Sequence, residues 1–247
     1  MINFSKISNK SIIGKLLRLF LKIIPNNTIL PIFQGRLKWK RWIRGSGMDS
    51  YWLGNYELEK VVSFEENIKK GDVIFDIGAQ SGFYTLLASE LTGEDGKVFS
   101  FEPFPQNIYY LKRNTEINNC KNINVIEMAV SDKNGIVNFK EGKSNFAGRI
   151  SDEGDLKVKT ASIDVLMADG KLLPPNLIKI DVEGAEFSVL KGARLTLEKY
   201  HPLIFLAIHR INENIHKDCC DFLKSIGYKL KAMDKIEIEK SDEIIAY

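Results

Sequence analysis

The chain has 247 residues, 44% of them hydrophobic and 27% charged, with a formal net charge of +3. That is an ordinary soluble globular composition, and the length suits one α/β domain with an N-terminal extension. Three cysteines, Cys120, Cys219 and Cys220, exclude a disulfide framework and a spaced zinc motif, so a reducing cytoplasm is the expected setting.

The charge is uneven. Residues 1–50 hold ten Lys/Arg against one acid, Asp49, leaving 25 against 31 in the remainder. An arm this basic on a mildly acidic domain suits a polyanionic or membrane partner. Residues 12–24 read as an amphipathic helix, with Lys15, Arg18 and Lys22 on one face and Ile13, Leu16, Leu17, Phe20, Leu21 and Ile24 opposite. Its charges recur too often for a membrane span and interrupt any signal-peptide core. Such a helix either packs on the domain or on a second copy as a homodimer, or lies peripherally on an anionic membrane. Residues 36–44, RLKWKRWIR, interleave five positive charges with Trp39 and Trp42. They read as a half-exposed strand with Leu37 and Trp39 on one face, or as a nucleic-acid track. Residues 45–56 read as a glycine-rich aromatic loop able to lid a cleft, and 57–68 as a helix. The expected division is an extension over 1–56 and a domain over 57–247.

Residues 71–103, GDVIFDIGAQSGFYTLLASELTGEDGKVFSFEP, carry the first motif. An apolar run, 73–77, is broken only by Asp76 and ends at Gly78, as a strand buried on both faces would. Gly78 and Gly82 bracket Ala79-Gln80-Ser81, and Ser81 is positioned to cap a helix carrying Phe83, Leu86, Leu87 and Leu91. A second strand, 98–101, ends on Glu102. Strand, glycine turn, helix and a strand-end acid make a nucleotide-site plan, with Glu102 placed to accept from both ribose hydroxyls. Gln80 interrupts the glycine pattern a pyrophosphate needs, and Phe83 and Tyr84 are bulky. S-Adenosylmethionine, an adenosine without phosphate, fits this turn better.

Pro105 opens a helix to about 117, and 124–130 read as the third strand, ending on Ser131-Asp132. That pair either accepts from an adenine amino group or forms an Asx turn. Residues 135–142 and 157–162 read as added strands, with a polar rim for the acceptor over 144–154. The second motif is 177–186, LIKIDVEGAE: a buried strand ending at Asp181, then a turn into a helix. Asp181 is expected to face the cleft of Gly78 and Glu102, whereas Glu183 and Glu186 suit a first helical turn. A strand at 203–208 ends on His209, a helix spans 217–226, and 228–232, 235–240 and 244–247 read as the final antiparallel strands.

DIGAQSGFYT, FEPFPQN, AVSD and above all IKIDVEGAE, with YWLGNYE upstream, resemble the FkbM family of S-adenosylmethionine-dependent methyltransferases. The resemblance runs from about residue 46 to residue 209. It implies a class I, Rossmann-like fold: α/β, with a mostly parallel seven-stranded sheet and an antiparallel terminal hairpin. It also implies O-methylation of a sugar, polyketide or other small molecule. Carried over by position, Asp76, Gly78, Ala79 and Gly82 line the methionine and ribose part of the cofactor. Glu102 takes the ribose diol, Ser131 and Asp132 the adenine end, and Asp181 lies near the methyl group. One position departs: where the family pattern resembles E-I-H, this chain has Ala207-Ile208-His209. The expected chemistry uses His209 as base and Asp181 to orient it, with no metal. The rival readings are an RNA ribose 2′-hydroxyl methyltransferase and a non-catalytic, membrane-docked protein of this fold. Base methylation is disfavoured by Asp181-Val182-Glu183-Gly184 where [DN]-P-P-[YF] is expected.

Overall fold

In a computed structural model that describes residues 23–48, 50–53, 56–142, 148–151, 153–234 and 237–247, the described part of the basic arm is folded onto the domain. β1 (Ile29–Pro31) and β2 (Arg41–Ile43) pair antiparallel. The continuous strand expected over 36–44 does not form. Residues 36–39 are a turn, and Trp39, at φ 73°, is turned outward and 69% exposed, while Trp42 is fully buried. The two indoles therefore share no solvent-facing row. The side chain of Asn118 pairs with both backbone groups of Arg41, and Asn114 accepts from Ile43 N, so two asparagines one helical turn apart extend the ladder. The expected loop over 45–56 contains a short helix, α1 (Ser50–Leu53), and α2 (Leu58–Asn67) follows. Most of the amphipathic helix expected at 12–24 lies outside the described residues.

Next come β3 (Val73–Ile77), α3 (Phe83–Thr92), β4 (Lys97–Phe101), α4 (Pro105–Ile117) and β5 (Ile123–Ile126). Ser81 does not cap α3: Gly82 holds the N-cap position at φ 97°, and the Ser81 hydroxyl has no hydrogen-bond partner among the described residues. The strand expected over 124–130 splits. It leaves the sheet at Glu127, and β6 (Ala129–Val130) joins β7 (Gly135–Glu141), β8 (Gly148–Ile150) and β9 (Leu156–Ala161) in a second sheet of order β6-β9-β7-β8. An apolar run carries no mark of a change of partner, so its periodicity reads as one strand.

The remainder is α5 (Ile163–Ala168), β10 (Leu177–Ile180), α6 (Glu186–Gly192), α7 (Arg194–Tyr200), β11 (Leu203–Ala207), α8 (Ile215–Ser225), β12 (Leu230–Ala232) and β13 (Glu243–Ala246). Residues 238–240, expected in a strand, form a 3₁₀ turn. The main sheet runs β5-β4-β3-β10-β11-β13-β12, parallel from β5 to β11, with β12 and β13 as the antiparallel hairpin. Its strands alternate between two cores: Phe75, Phe99, Ile178 and Leu206 pack on one face, and Ile74, Val98, Leu177 and Phe205 on the other. Ile32, Trp42 and Trp52 of the arm belong to the second core. From β3 the chain steps outward to β4 and β5, then returns to place β10 on the other side of β3. That reversal opens a crevice at the strands' carboxyl ends.

Candidate active site

The crevice holds a cavity of about 280 Å³. At one end the glycine turn folds over β4: Gly78 N and Ala79 N both donate to Phe101 O at 3.0 Å. Gly78 has φ 79°, and a Cβ there would run into the carbonyl oxygen of Asp181, so only glycine lets β3 and β10 end side by side. Glu102 is 4% exposed and accepts from Gln80 N at 2.8 Å, Phe104 N at 2.9 Å and Asn107 Nδ2 at 3.3 Å. Burial outweighs these donors and pushes its carboxyl up to about 7. Met128, Ala129, Val130, Phe139 and Ile150 make the apolar wall beside it.

Beneath the cavity lies a buried ionic row. Lys179 and Asp76 are adjacent in register on β10 and β3, with Nζ 3.1 Å from Oδ1. Asp76 also accepts from the Thr85 hydroxyl at 2.6 Å. Asp181 sits between two buried ammonium groups, 3.7 Å from Lys179 and 3.8 Å from Lys60. Lys60 comes from α2 and is also paired with Glu243 at 2.9 Å and Glu57 at 3.5 Å. Burial alone would raise the Asp181 carboxyl, but Lys179, Lys60 and His209 hold it below the usual carboxylate range. Burial would equally lower both lysines, but the surrounding carboxylates keep them above their usual value and charged.

Beside the glycine turn stands an aromatic wall, tied to it by the Tyr51 hydroxyl, which donates to Gln80 Oε1 at 3.1 Å. Tyr51 of the arm stacks on Phe83 with centroids 4.7 Å apart, and Tyr56 meets both rings edge-on. Burial pushes the phenols of Tyr51, Tyr56 and Tyr84 well above the usual range, so they remain donors. His209 follows β11. Its Nδ1 is 2.8 Å from Glu186 Oε1, and its Nε2 lies 3.8 Å from Asp181 and 3.6 Å from Glu183. The bond to Glu186 overcomes partial burial and, with Glu183 and Asp181, pushes the imidazole up to about 9.

Of the expected site residues, Gly78, Ala79, Glu102, Asp181 and His209 line this one cavity. Asp76 does not. It lies within β3 rather than beyond it, so its carboxylate is enclosed by Lys179 and Thr85. Gly82 packs under the turn against Leu111 instead. Ser131 and Asp132 are also outside, because β6 has left the main sheet and Asp132 pairs with Lys191 at 2.9 Å. Asp181 does not hold His209 by a hydrogen bond; Glu186 does. Sequence reasoning also missed Lys60, Lys179 and the tyrosines. Lys179 had a visible signal, a charge inside the apolar run LIKI. Lys60 had none, since it reads as an exposed helix residue.

Sheet order, terminal hairpin and a crevice at the reversal point define a class I methyltransferase fold. A crystal structure titled methyltransferase FkbM, from Methylobacillus flagellatus KT, is similar at TM-score 0.51 and 18% identity, over 81% of this chain and 56% of that one. The methyltransferase FkbM domain model matches residues 76–230, and the chain belongs to that family. Hexuronic acid methyltransferase AglP of Haloferax volcanii is 30% identical over 146 residues, 58% of this chain and 59% of the relative. 2-O-methyltransferase NoeI of Sinorhizobium fredii is 27% identical over 160 residues, 57% of this chain and 64% of the relative. The matched stretches thus span about three-fifths of these relatives' own lengths.

Proposed function

We propose that this chain uses S-adenosylmethionine to methylate a hydroxyl of a sugar, glycan or comparable small molecule. One observation carries the reading: a single cavity has a buried strand-end glutamate beside a bare glycine turn at one end and a histidine at the other. The residues fit the cofactor. Gly78 and Ala79 leave backbone open to the methionine and ribose part, Glu102 offers acceptors to a diol, and the apolar wall from Met128 to Val130 suits adenine. In this reading the adenine lies against β6 itself rather than at Ser131-Asp132 just beyond its end. Asp181 and Glu57 supply negative potential for a cationic sulfur. Bound there, the cofactor presents a methyl group on a good leaving group, for in-line attack by the acceptor oxygen.

The chain's own task is then to position the acceptor and take its proton. The tyrosine phenols and both lysines hold their protons, and Asp181 is a weak base, so the task falls to His209 Nε2. The arm walls the cavity through Tyr51 and Tyr56. Both names among the relatives, a hexuronic acid methyltransferase and a 2-O-methyltransferase, agree with a sugar acceptor.

Calorimetry with S-adenosylhomocysteine tests the cofactor half. Ribose hydroxyls donate to the ionised Glu102, so binding belongs to its deprotonated form. Affinity is expected to fall roughly tenfold per unit as pH drops below about 7, and Glu102→Gln is expected to bind weakly with no such slope. Absence of any binding heat for the unaltered chain would end the proposal.

A further inference from the structure

Glu186 is fully buried at the start of α6, and its placement is unusual for an acid in a first helical turn. It does not face solvent, where a carboxylate complementing the helix dipole would lie. Two consecutive left-handed residues, Glu183 at φ 53° and Gly184 at φ 102°, fold the loop after β10 back on itself. That turn lets Gly184 N donate to Glu186 Oε1 at 2.9 Å, and the same oxygen is 2.8 Å from His209 Nδ1. A Cβ on Gly184 would come 2.7 Å from the Ile211 side chain, so the loop is packed against the segment that carries the histidine. The second oxygen, Oε2, is buried and has no hydrogen-bond partner among the described residues.

We propose that Glu186 is the positioning residue for His209, holding the proton on Nδ1 so that Nε2 presents its lone pair to the cavity. An ionised carboxyl can only accept, so the shared hydrogen belongs to Nδ1 and the neutral ring is confined to one tautomer. The same contact sets how basic Nε2 is, because a buried carboxylate stabilises the imidazolium. The inference rests on His209 acting as the base. It also gives the Ala207 departure a physical meaning. Ala207 lies directly opposite Glu243 in the β11–β13 register, and such pairs point to the same face. An acid at 207 would therefore join Glu243 beside Lys60, whereas Glu186 reaches His209 from α6, packed on the opposite face. In this chain the acid–histidine pair is built from the IDVEGAE loop.

The charged groups around the ring are Asp181 and Glu183 from the loop after β10, and Glu186 from α6. Behind Glu186 stands Cys219 of α8, whose thiol burial keeps protonated. Glu186→Gln removes the charge while keeping an acceptor for Gly184 N and Nδ1–H, so the fold is retained. The readout is imidazole NMR on the full chain. Its three histidines are 201, 209 and 216, and His209→Gln assigns the signal. In Glu186→Gln the His209 titration midpoint is expected to drop by about one pH unit or more. The rising limb of the pH–rate profile should move down with it, and KM for the methyl donor should stay within about twofold. An unchanged His209 midpoint would overturn the proposal. A lowered midpoint with an unmoved rate profile would uphold the Glu186–His209 pair and instead remove His209 as base.

Discussion

Lys179→Met is expected to destabilise the folded chain by about 3–5 kcal/mol, because it strands a buried carboxylate. Asp76 is fully buried, and without Lys179 its remaining partner among the described residues is the Thr85 hydroxyl at 2.6 Å. The loss comes from leaving Asp76 uncompensated rather than from the worth of the pair, since burying two charges costs about what their attraction returns. The double variant Lys179→Met with Asp76→Leu is therefore expected to recover most of the loss. Urea denaturation checks both, with the midpoint falling at an unchanged slope. A loss under about 1 kcal/mol for the single variant would show that water reaches the pair. Because domains are typically stable by only ~5–15 kcal/mol, the single variant is best studied at low temperature and with bound S-adenosylhomocysteine.

His209→Ala carries the largest expected effect on rate. Removing a positioned base typically costs 10²–10⁴-fold, roughly 3–5 kcal/mol of barrier. Single-turnover methylation, with an acceptor drawn from a panel of hydroxylated glycans, isolates that step from product release. Binding of S-adenosylhomocysteine should change little, because Glu102 and the glycine turn lie at the far end of the cavity. The pH profile supplies a second check. A base works in its deprotonated form, and His209 is pushed up to about 9. Between about pH 7 and 9, above the Glu102 titration, kcat/KM for the methyl donor should therefore climb about tenfold per unit, and His209→Ala should lose that rise. Full chemistry in the alanine variant would leave proton removal to solvent or to the acceptor itself.

Much of the scaffold was legible from local pattern. Val73–Ile77 and Leu177–Ile180 have the bounds that their apolar runs predict, and Pro105 opens α4 as its fixed φ dictates. The antiparallel hairpin beside β11 also matches, although residues 238–240 coil instead of extending. Elsewhere, local pattern misled. Trp39 alternates with Leu37 as if on one face of a strand, yet a positive φ turns it outward. Glu186 sits where an acid complements a helix dipole, yet it is buried against a histidine 23 residues away.

By itself the sequence determined the strand–turn–helix units, and with them the strand ends that carry Glu102, Asp181 and His209. Burial on both faces and a two-residue alternation write those units into every short run. Only the tertiary structure decided which charges meet: Lys179 beside Asp76, Lys60 beside Asp181 and Glu243, and Glu186 under His209. Those pairings depend on the order and register of strands far apart in the chain. That order follows from packing helices on both faces of the sheet, which no single stretch of residues encodes.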